Sequence, residues 1–153
     1  MKRFAKIPVI TAYLLFTLLL SACSLLGGAG RERQEENEAL AQEADFGEIV
    51  LAEGIGANNQ PIGVATTFSS SQDFIYLVAE ANYLKAGTTM FSRWSFEGEP
   101  FEDSTAVTAD RDYEDTYVEF HLENLTASME EGDYSVQLFV NGNPVETLEF
   151  TVQ

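Results

Sequence analysis

The stretch Glu130–Val136, EEGDYSV, joins a turn signal to the start of a regular alternation of apolar and polar residues. Its Gly-Asp pair is typical of a turn, because glycine adopts the positive φ angles that many turns require. After the turn every second residue is apolar, which is the period of a strand with one buried face. The apolar set is Tyr134, Val136, Leu138 and Val140. The sequence therefore predicts a half-buried strand over 134–140.

The residues that follow this strand predict a hairpin. Asn141-Gly142 comes next, and both residue types tolerate the positive φ of a two-residue hairpin turn. The alternation then resumes with Leu148, Phe150 and Val152. The partner strand of the hairpin is therefore expected over 145–152.

The same pattern of short apolar runs between turn residues extends back to Phe46, and no useful amphipathic helix pattern follows Ala44. The other predicted strands lie near 48–52, 64–68, 74–81, 88–97, 105–109 and 116–122. Two of them alternate clearly, with the inward sets Met90, Ser92, Trp94 and Phe96, and Val118, Phe120 and Leu122. Seven to eight short strands in about 108 residues predict an all-β fold, an antiparallel β-sandwich.

Two features of these strands resemble immunoglobulin-like (Ig-like) domains. Glu130–Val136 resembles the tyrosine corner of that fold, in which an acidic residue and a glycine precede a tyrosine two residues before the second disulfide cysteine. Val136 stands where that cysteine would be, and Trp94 lies on an earlier strand, as the core tryptophan of the fold does. The resemblance implies an Ig-like antiparallel β-sandwich over residues 46–153, with Trp94 and Val136 buried. Since both cysteines are missing, the chain is similar to bacterial Ig-like modules with an aliphatic core.

The first 22 residues have the composition of a secretory signal. Lys2, Arg3 and Lys6 form a basic start, and Ile7 to Leu20 carries no charge. A transmembrane helix is one alternative, because the uncharged stretch continues to Gly30 and is long enough to span a bilayer. An ordinary signal peptide, cut to release a soluble protein, is the other.

The residues around the single cysteine point to a lipid anchor. Leu20-Ser21-Ala22-Cys23 resembles the lipobox of bacterial lipoproteins, in which a leucine and two small residues precede the cysteine. The resemblance implies a diacylglyceryl thioether on the Cys23 sulfur and cleavage between Ala22 and Cys23. Lipid on Cys23 would hold the protein at the cell membrane or the outer membrane, facing outside the cytoplasm. The expected organisation is a signal peptide over 1–22, a lipidated N-terminus and flexible acidic tether over 23–45, and the sandwich over 46–153.

The chain is strongly acidic. Its 153 residues contain 8 Lys and Arg against 25 Asp and Glu, a formal net charge of −17. Removal of residues 1–22 takes away three basic residues, so the mature charge becomes 5 − 25 = −20. Such a surface repels nucleic acid, which argues against a nucleic-acid partner. Solubility in a crowded envelope explains the charge, and adaptation to high salt is the alternative.

The sequence offers few groups for catalysis, and we expect no enzyme activity, no cofactor and no metal. His121 is the single histidine, Cys23 is assigned to lipid, and neither a glycine-rich phosphate loop nor a Cys/His metal spacing occurs. Asp110–Asp115 begins like a calcium loop, but the EF-hand pattern then requires glycine at Asp115 and glutamate at His121. A solvated acidic turn is expected there, with calcium binding as the alternative. A second acidic loop is expected at Glu97, Glu99, Glu102 and Asp103.

Three side chains are candidates for a binding face. Phe91 and Phe139 lie one residue out of phase with the inward sets of their strands, so both should point outward, as should Arg93. In an Ig-like fold these two strands share a sheet, and aromatic and arginine side chains are favoured at the centres of interfaces. Phe74 and Tyr76 are similarly placed on the strand at 74–81. The alternatives are that a loop or the tether covers these rings, or that they are single exposed apolar residues of the kind scattered over most protein surfaces.

We therefore expect a noncatalytic binding or accessory lipoprotein of the cell envelope. Its expected partner is another envelope protein, which would bind through Phe91, Arg93 and Phe139. A glycan-binding module, or an enzyme with an unrecognised carboxylate site, is the alternative. The sequence leaves the oligomeric state open.

Overall fold

A computed structural model describes residues 43–126 and 128–153 of the chain. The predicted signal peptide, Cys23 and nearly all of the predicted tether lie outside the described residues. Within the described ranges, no helix has the length and hydropathy needed to cross a membrane.

The described residues form ten strands and a single turn of 3-10 helix at Ala57–Asn59. The strands are β1 (Ala44–Ile55), β2 (Pro61–Val64), β3 (Thr67–Phe68), β4 (Phe74–Leu84), β5 (Thr89–Phe96), β6 (Glu99–Asp103), β7 (Val107–Thr108), β8 (Tyr113–Glu123), β9 (Gly132–Val140) and β10 (Asn143–Val152).

These strands make two sheets. The first sheet has the order β2-β1-β4-β8, and the second has the order β3-β10-β9-β5-β6, with β7 paired to β5. All pairings are antiparallel except that of β3 with β10, which is parallel. Apolar side chains from both sheets form one core cluster between them. The predicted all-β antiparallel sandwich is therefore confirmed, with short additional strands.

The core is centred on Trp94, which is fully buried. It lies directly opposite Val136 on the neighbouring strand, and its ring meets that of Phe150 edge-on with centroids 6.0 Å apart. The predicted inward residues of β5, β8 and β9 are buried or nearly so, because strand side chains alternate between the two faces of a sheet. The expected burial of Trp94 and Val136 is confirmed.

The tyrosine corner is present as the sequence predicts. The Tyr134 hydroxyl donates a hydrogen bond of 2.9 Å to the backbone carbonyl of Glu130, four residues upstream. Gly132 has φ 154, and a Cβ there would lie 2.7 Å from both a Glu97 carboxylate oxygen and the Phe96 ring. Glycine is favoured at 132 because a Cβ there would have to displace the Phe96 ring.

Two hairpins have the same turn geometry, and the sequence predicts one of them. Asn141 and Gly142 have φ 49 and 83, which confirms the predicted turn between β9 and β10. Glu97 and Gly98 have φ 49 and 82, and they connect β5 to β6. The expectation of an acidic loop at 97–103 was wrong, because most of this segment is β6, paired with β5. A Glu-Gly pair predicts a hairpin less strongly than Asn-Gly does. The acidic residues that follow it are also typical of a loop, so the sequence did not predict β6.

Other boundaries also differ from the prediction. The expected strand at 64–68 is divided, because β2 pairs with β1 in the first sheet whereas β3 pairs with β10 in the second. β1 begins at Ala44, two residues before the expected start of the domain, and Ala44 is buried opposite Leu84. β8 begins at Tyr113, so half of the expected acidic loop at 110–115 is strand. In each case a pairing with a strand distant in sequence is involved: β3 with β10, β1 with β4, and β8 with β4.

Candidate binding face

The rings of Phe91 and Phe139 form a stacked pair on the outer side of the second sheet. The two residues are direct cross-strand partners in β5 and β9. Their ring centroids are 4.6 Å apart and the ring planes differ by 6°. Both side chains are half-buried. The alternation therefore placed these two rings on one surface correctly, and their use as a binding face stays a prediction.

Arg93 completes this surface and is held in place by a carboxylate. Its guanidinium lies 5.3 Å from the centroid of the Phe139 ring. It also donates two hydrogen bonds to Asp103, with Nε–Oδ1 and Nη2–Oδ2 distances of 2.7 Å each. This bidentate geometry fixes the plane of the guanidinium over the aromatic pair. We call Phe91, Arg93 and Phe139 the aromatic face.

The ion pair shifts the pKa of both partners. Chiefly through its hydrogen bonds, Arg93 holds the pKa of the Asp103 carboxyl below its ordinary value. The same hydrogen bonds raise the pKa of Arg93. The two side chains are 40% and 45% exposed, so solvent screens the pair and it adds little to stability. The Arg93–Asp103 pair instead orients the Arg93 side chain and makes the net charge of the two residues zero.

Asp103 belongs to this site, although the sequence predicts it in an acidic loop. In the structure it is the cross-strand partner of Arg93 in β6. Gly98 is the residue that could have predicted this position, because a hairpin turn at Glu97-Gly98 brings the residues near 103 alongside Arg93.

Polar groups continue the surface along the same strands. Gln137 donates a hydrogen bond of 3.0 Å to the Thr147 hydroxyl in the row beside Arg93. A depression of about 520 Å³ follows toward the Glu97-Gly98 turn, and it is lined by hydroxyl and carboxylate groups. These groups include those of Thr67, Asp133, Ser135, Glu149 and Thr151. The surface therefore changes from aromatic to polar along the strands.

A second aromatic cluster lies on the outer side of the first sheet. Phe74, Tyr76 and His121 have ring centroids 5.5 to 5.9 Å apart, and His121 Nδ1 lies 3.2 Å from a Glu119 carboxylate oxygen. Ala52 and Val78 point to the same side but are buried. The 3-10 turn that follows β1 contacts β8, two strands away in the sheet. Phe74 and Tyr76 are half-buried and His121 is exposed, so a binding role for these rings stays a prediction.

The acidic segment at 110–115 directs two of its carboxylates to protein groups. The Tyr113 hydroxyl donates a hydrogen bond of 2.6 Å to Asp110, and this bond lowers the pKa of that carboxyl. Asp112 accepts a hydrogen bond of 2.8 Å from the backbone N–H of Ala86. In the part of the chain that the structure describes, no three His, Cys, Asp or Glu side chains converge closely enough to hold a metal ion.

The comparisons with known proteins concern the fold. No protein-family model matches the sequence, and no curated protein matches it. Among solved structures, an alkylpurine DNA glycosylase of Pseudomonas fluorescens bound to DNA is 14% identical with a TM-score of 0.43, and the match covers 72% of this chain but 30% of that one. A superoxide reductase of Ignicoccus hospitalis is 15% identical with a TM-score of 0.43, over 77% and 89% of the two chains.

An immunoglobulin-like protein of Pseudomonas aeruginosa is 12% identical with a TM-score of 0.51, and the match covers 72% of this chain and 95% of that one. The two enzymes have TM-scores below 0.5, and such a likeness says nothing about activity. At 12% identity the Pseudomonas aeruginosa likeness concerns architecture alone. Together with the two antiparallel sheets, the buried tryptophan and the tyrosine corner, it shows that this chain has an Ig-like β-sandwich fold.

Proposed function

We propose that this protein is a noncatalytic binding or accessory module of the cell envelope, anchored to a membrane by lipid on Cys23. It contacts another envelope protein through the aromatic face of Phe91, Arg93 and Phe139. The anchor rests on the sequence Leu20-Ser21-Ala22-Cys23, and the contact rests on the geometry of the second sheet.

The stacked pair beside a fixed arginine is the observation that supports the contact. Aromatic and arginine side chains supply most of the binding energy in many interfaces. Here the two rings stack on each other and Asp103 binds Arg93, so all three side chains are already ordered. Little side-chain conformational entropy is therefore lost when a partner binds. The charges of Arg93 and Asp103 cancel, which leaves a neutral surface on a strongly acidic domain. Repulsion by the surrounding carboxylates then limits nonspecific contacts.

The aromatic face is tested by the double substitution Phe91→Ser, Phe139→Ser in the full chain. We expect the fold to be retained and the capture of one specific protein from an envelope extract of the host to be lost, because the anchor rings are gone. The matched control is Ile62→Ser, Val64→Ser, which removes two apolar side chains that are 57% and 61% exposed on the first sheet. The control should capture the same protein. Unfolding of the double variant, or unchanged capture, would contradict the proposal.

The anchor is tested by Cys23→Ser, with Ser24→Ala as the control. The Cys23 variant should incorporate no labelled fatty acid and should not be cut between Ala22 and Cys23, because the thioether forms on the cysteine sulfur. Mass spectrometry of the membrane fraction measures both effects. Normal labelling and normal fractionation of the Cys23 variant would exclude the lipid anchor.

A glycan ligand is a second candidate, and the polar depression beside the aromatic face favours it. Its hydroxyl and carboxylate groups suit the hydroxyls of a sugar, and aromatic rings suit its apolar faces. Saturable binding of an envelope oligosaccharide that Glu149→Ala weakens would support this candidate over a protein partner.

A further inference from the structure

β8 has a free edge. It is the last strand in the order of the first sheet, and its residues 116–123 pair with β4 without a break. The one irregularity of β8 is at Asp115, which has a φ of 47. No described strand pairs with its other side. A row of backbone N–H and C=O groups along that side is therefore open to a further strand.

The other sheet edges are less suited to accept a strand. β2 has four residues and begins at Pro61. β3 has two residues. β6 has five residues and contains Pro100. Proline and short length are features that block pairing at a sheet edge.

A groove follows the free edge of β8. It consists of two depressions of about 370 and 340 Å³, which are adjacent because Val107 and Glu119 line both. The first depression is bordered by the exposed side chain of Val107 and by the half-buried side chains of Tyr117 and Val118. The second is bordered by the carboxylates of Glu102, Asp103 and Glu123. We call the two depressions together the edge groove.

The edge groove has an apolar end and an acidic end. No lysine or arginine lines either depression. Asp103 is already paired with Arg93, and Glu119 contacts His121, but Glu102 and Glu123 make no ion pair within the described residues. These carboxylates complement positive charge at one end of a ligand. At the other end, Val107, Tyr117 and Val118 complement apolar side chains.

We propose that the edge groove binds an extended peptide segment of another protein, basic at one end and apolar at the other, which adds a strand to β8. This contact is separate from the one proposed for the aromatic face. A second copy of this chain fits the groove poorly, because residues 43–153 carry 21 Asp and Glu against 3 Lys and Arg, a formal charge of 3 − 21 = −18. Two β8 edges side by side would bring like charges together.

The test uses a synthetic fluorescent peptide and the full chain in detergent. One half of the peptide alternates Lys with Thr, and the other half alternates Val with Thr. Fluorescence anisotropy should show saturable binding, and backbone amides of β8 should become protected from hydrogen exchange. Glu102→Lys, Glu123→Lys should weaken binding by about tenfold or more, equivalent to ~1.4 kcal/mol. The control Glu131→Lys, Glu146→Lys makes the same charge change at exposed residues that do not line the groove.

Two changes in the peptide keep the test independent of the folding of any variant. Methylation of alternate backbone nitrogens removes the hydrogen bonds to β8, and it should abolish binding. Replacement of Lys by Glu should abolish it as well. Equal binding of the methylated peptide, equal loss in both charge variants, absence of saturable binding, or weakened binding in Phe91→Ser, Phe139→Ser would each overturn the proposal. Dimerisation through β8 in sedimentation experiments would show that the occupant is a second copy.

Discussion

The Tyr134 hydroxyl links β9, by one hydrogen bond, to the residues that immediately precede the strand. The ring is buried against Phe150, with centroids 5.2 Å apart, while the hydroxyl bonds the Glu130 carbonyl. Removal of a partner from a buried hydrogen bond leaves the other group unsatisfied. The corner therefore stabilises the direction in which the chain enters the second sheet.

Tyr134→Phe should lower the free energy of unfolding by about 1 kcal/mol, because one hydrogen bond is lost and the ring is kept. Tyr83→Phe is the control, since the half-buried Tyr83 hydroxyl makes no hydrogen bond in the described part of the chain. Denaturant unfolding at neutral pH measures both changes. An equal loss in the two variants would mean that the corner bond contributes nothing.

The same variant should change the response to alkaline pH. Burial, and then the charges of Glu130 and Glu97, raise the pKa of Tyr134 above its ordinary value. The folded state therefore holds this proton more tightly than the unfolded chain does. The stability that results is complete at neutral pH and is lost as the pH rises through the raised pKa. Tyr134→Phe should lose less stability than the native chain above about pH 10, and an identical alkaline loss would contradict this linkage.

The hairpin turns show how strands depend on backbone geometry. At Gly142 and at Gly54 an added Cβ would meet no atom within 4 Å, so space does not distinguish the two positions. Gly142 has φ 83, whereas the φ of Gly54 is not positive. The difference between the two glycines is therefore purely conformational.

Gly142→Ala should lower the free energy of unfolding by about 1–2 kcal/mol, because the turn forces an L-residue into the left-handed region. Gly54→Ala is the matched control and should be neutral or slightly stabilising, since alanine restricts the unfolded chain at no cost in space. Thermal and denaturant unfolding measure both variants. If Gly142→Ala is as stable as Gly54→Ala, the turn does not determine the hairpin.

At the scale of the whole domain, charge opposes folding. The described residues carry a formal charge of −18, and within them Arg93–Asp103 is the ion pair between an arginine or lysine and a carboxylate. Self-repulsion of this size destabilises the compact state, and salt screens it over distances of ~10 Å and less. The apolar core between the sheets must outweigh this repulsion without the help of a disulfide.

Addition of sodium chloride should therefore raise the melting temperature, and magnesium and calcium chloride at equal ionic strength should act alike. The second expectation follows from Asp110 and Asp112, whose carboxylates already accept hydrogen bonds from Tyr113 and Ala86. Differential scanning fluorimetry with each salt measures the effect. A rise of many degrees with calcium alone would indicate a specific site and overturn this view.

The fold class, the inward sets of the main strands, the tyrosine corner and the Asn141-Gly142 turn could all be predicted from the sequence. So could the shared surface of Phe91 and Phe139. All of these follow from local rules, because strand side chains alternate and turn residues have characteristic φ angles. Three features became visible only in the folded chain: Asp103 orients Arg93, residues 64–68 divide between the two sheets, and β8 has a free edge beside a groove. These features depend on which distant strands pair and in what register, and register is set by packing across the whole core.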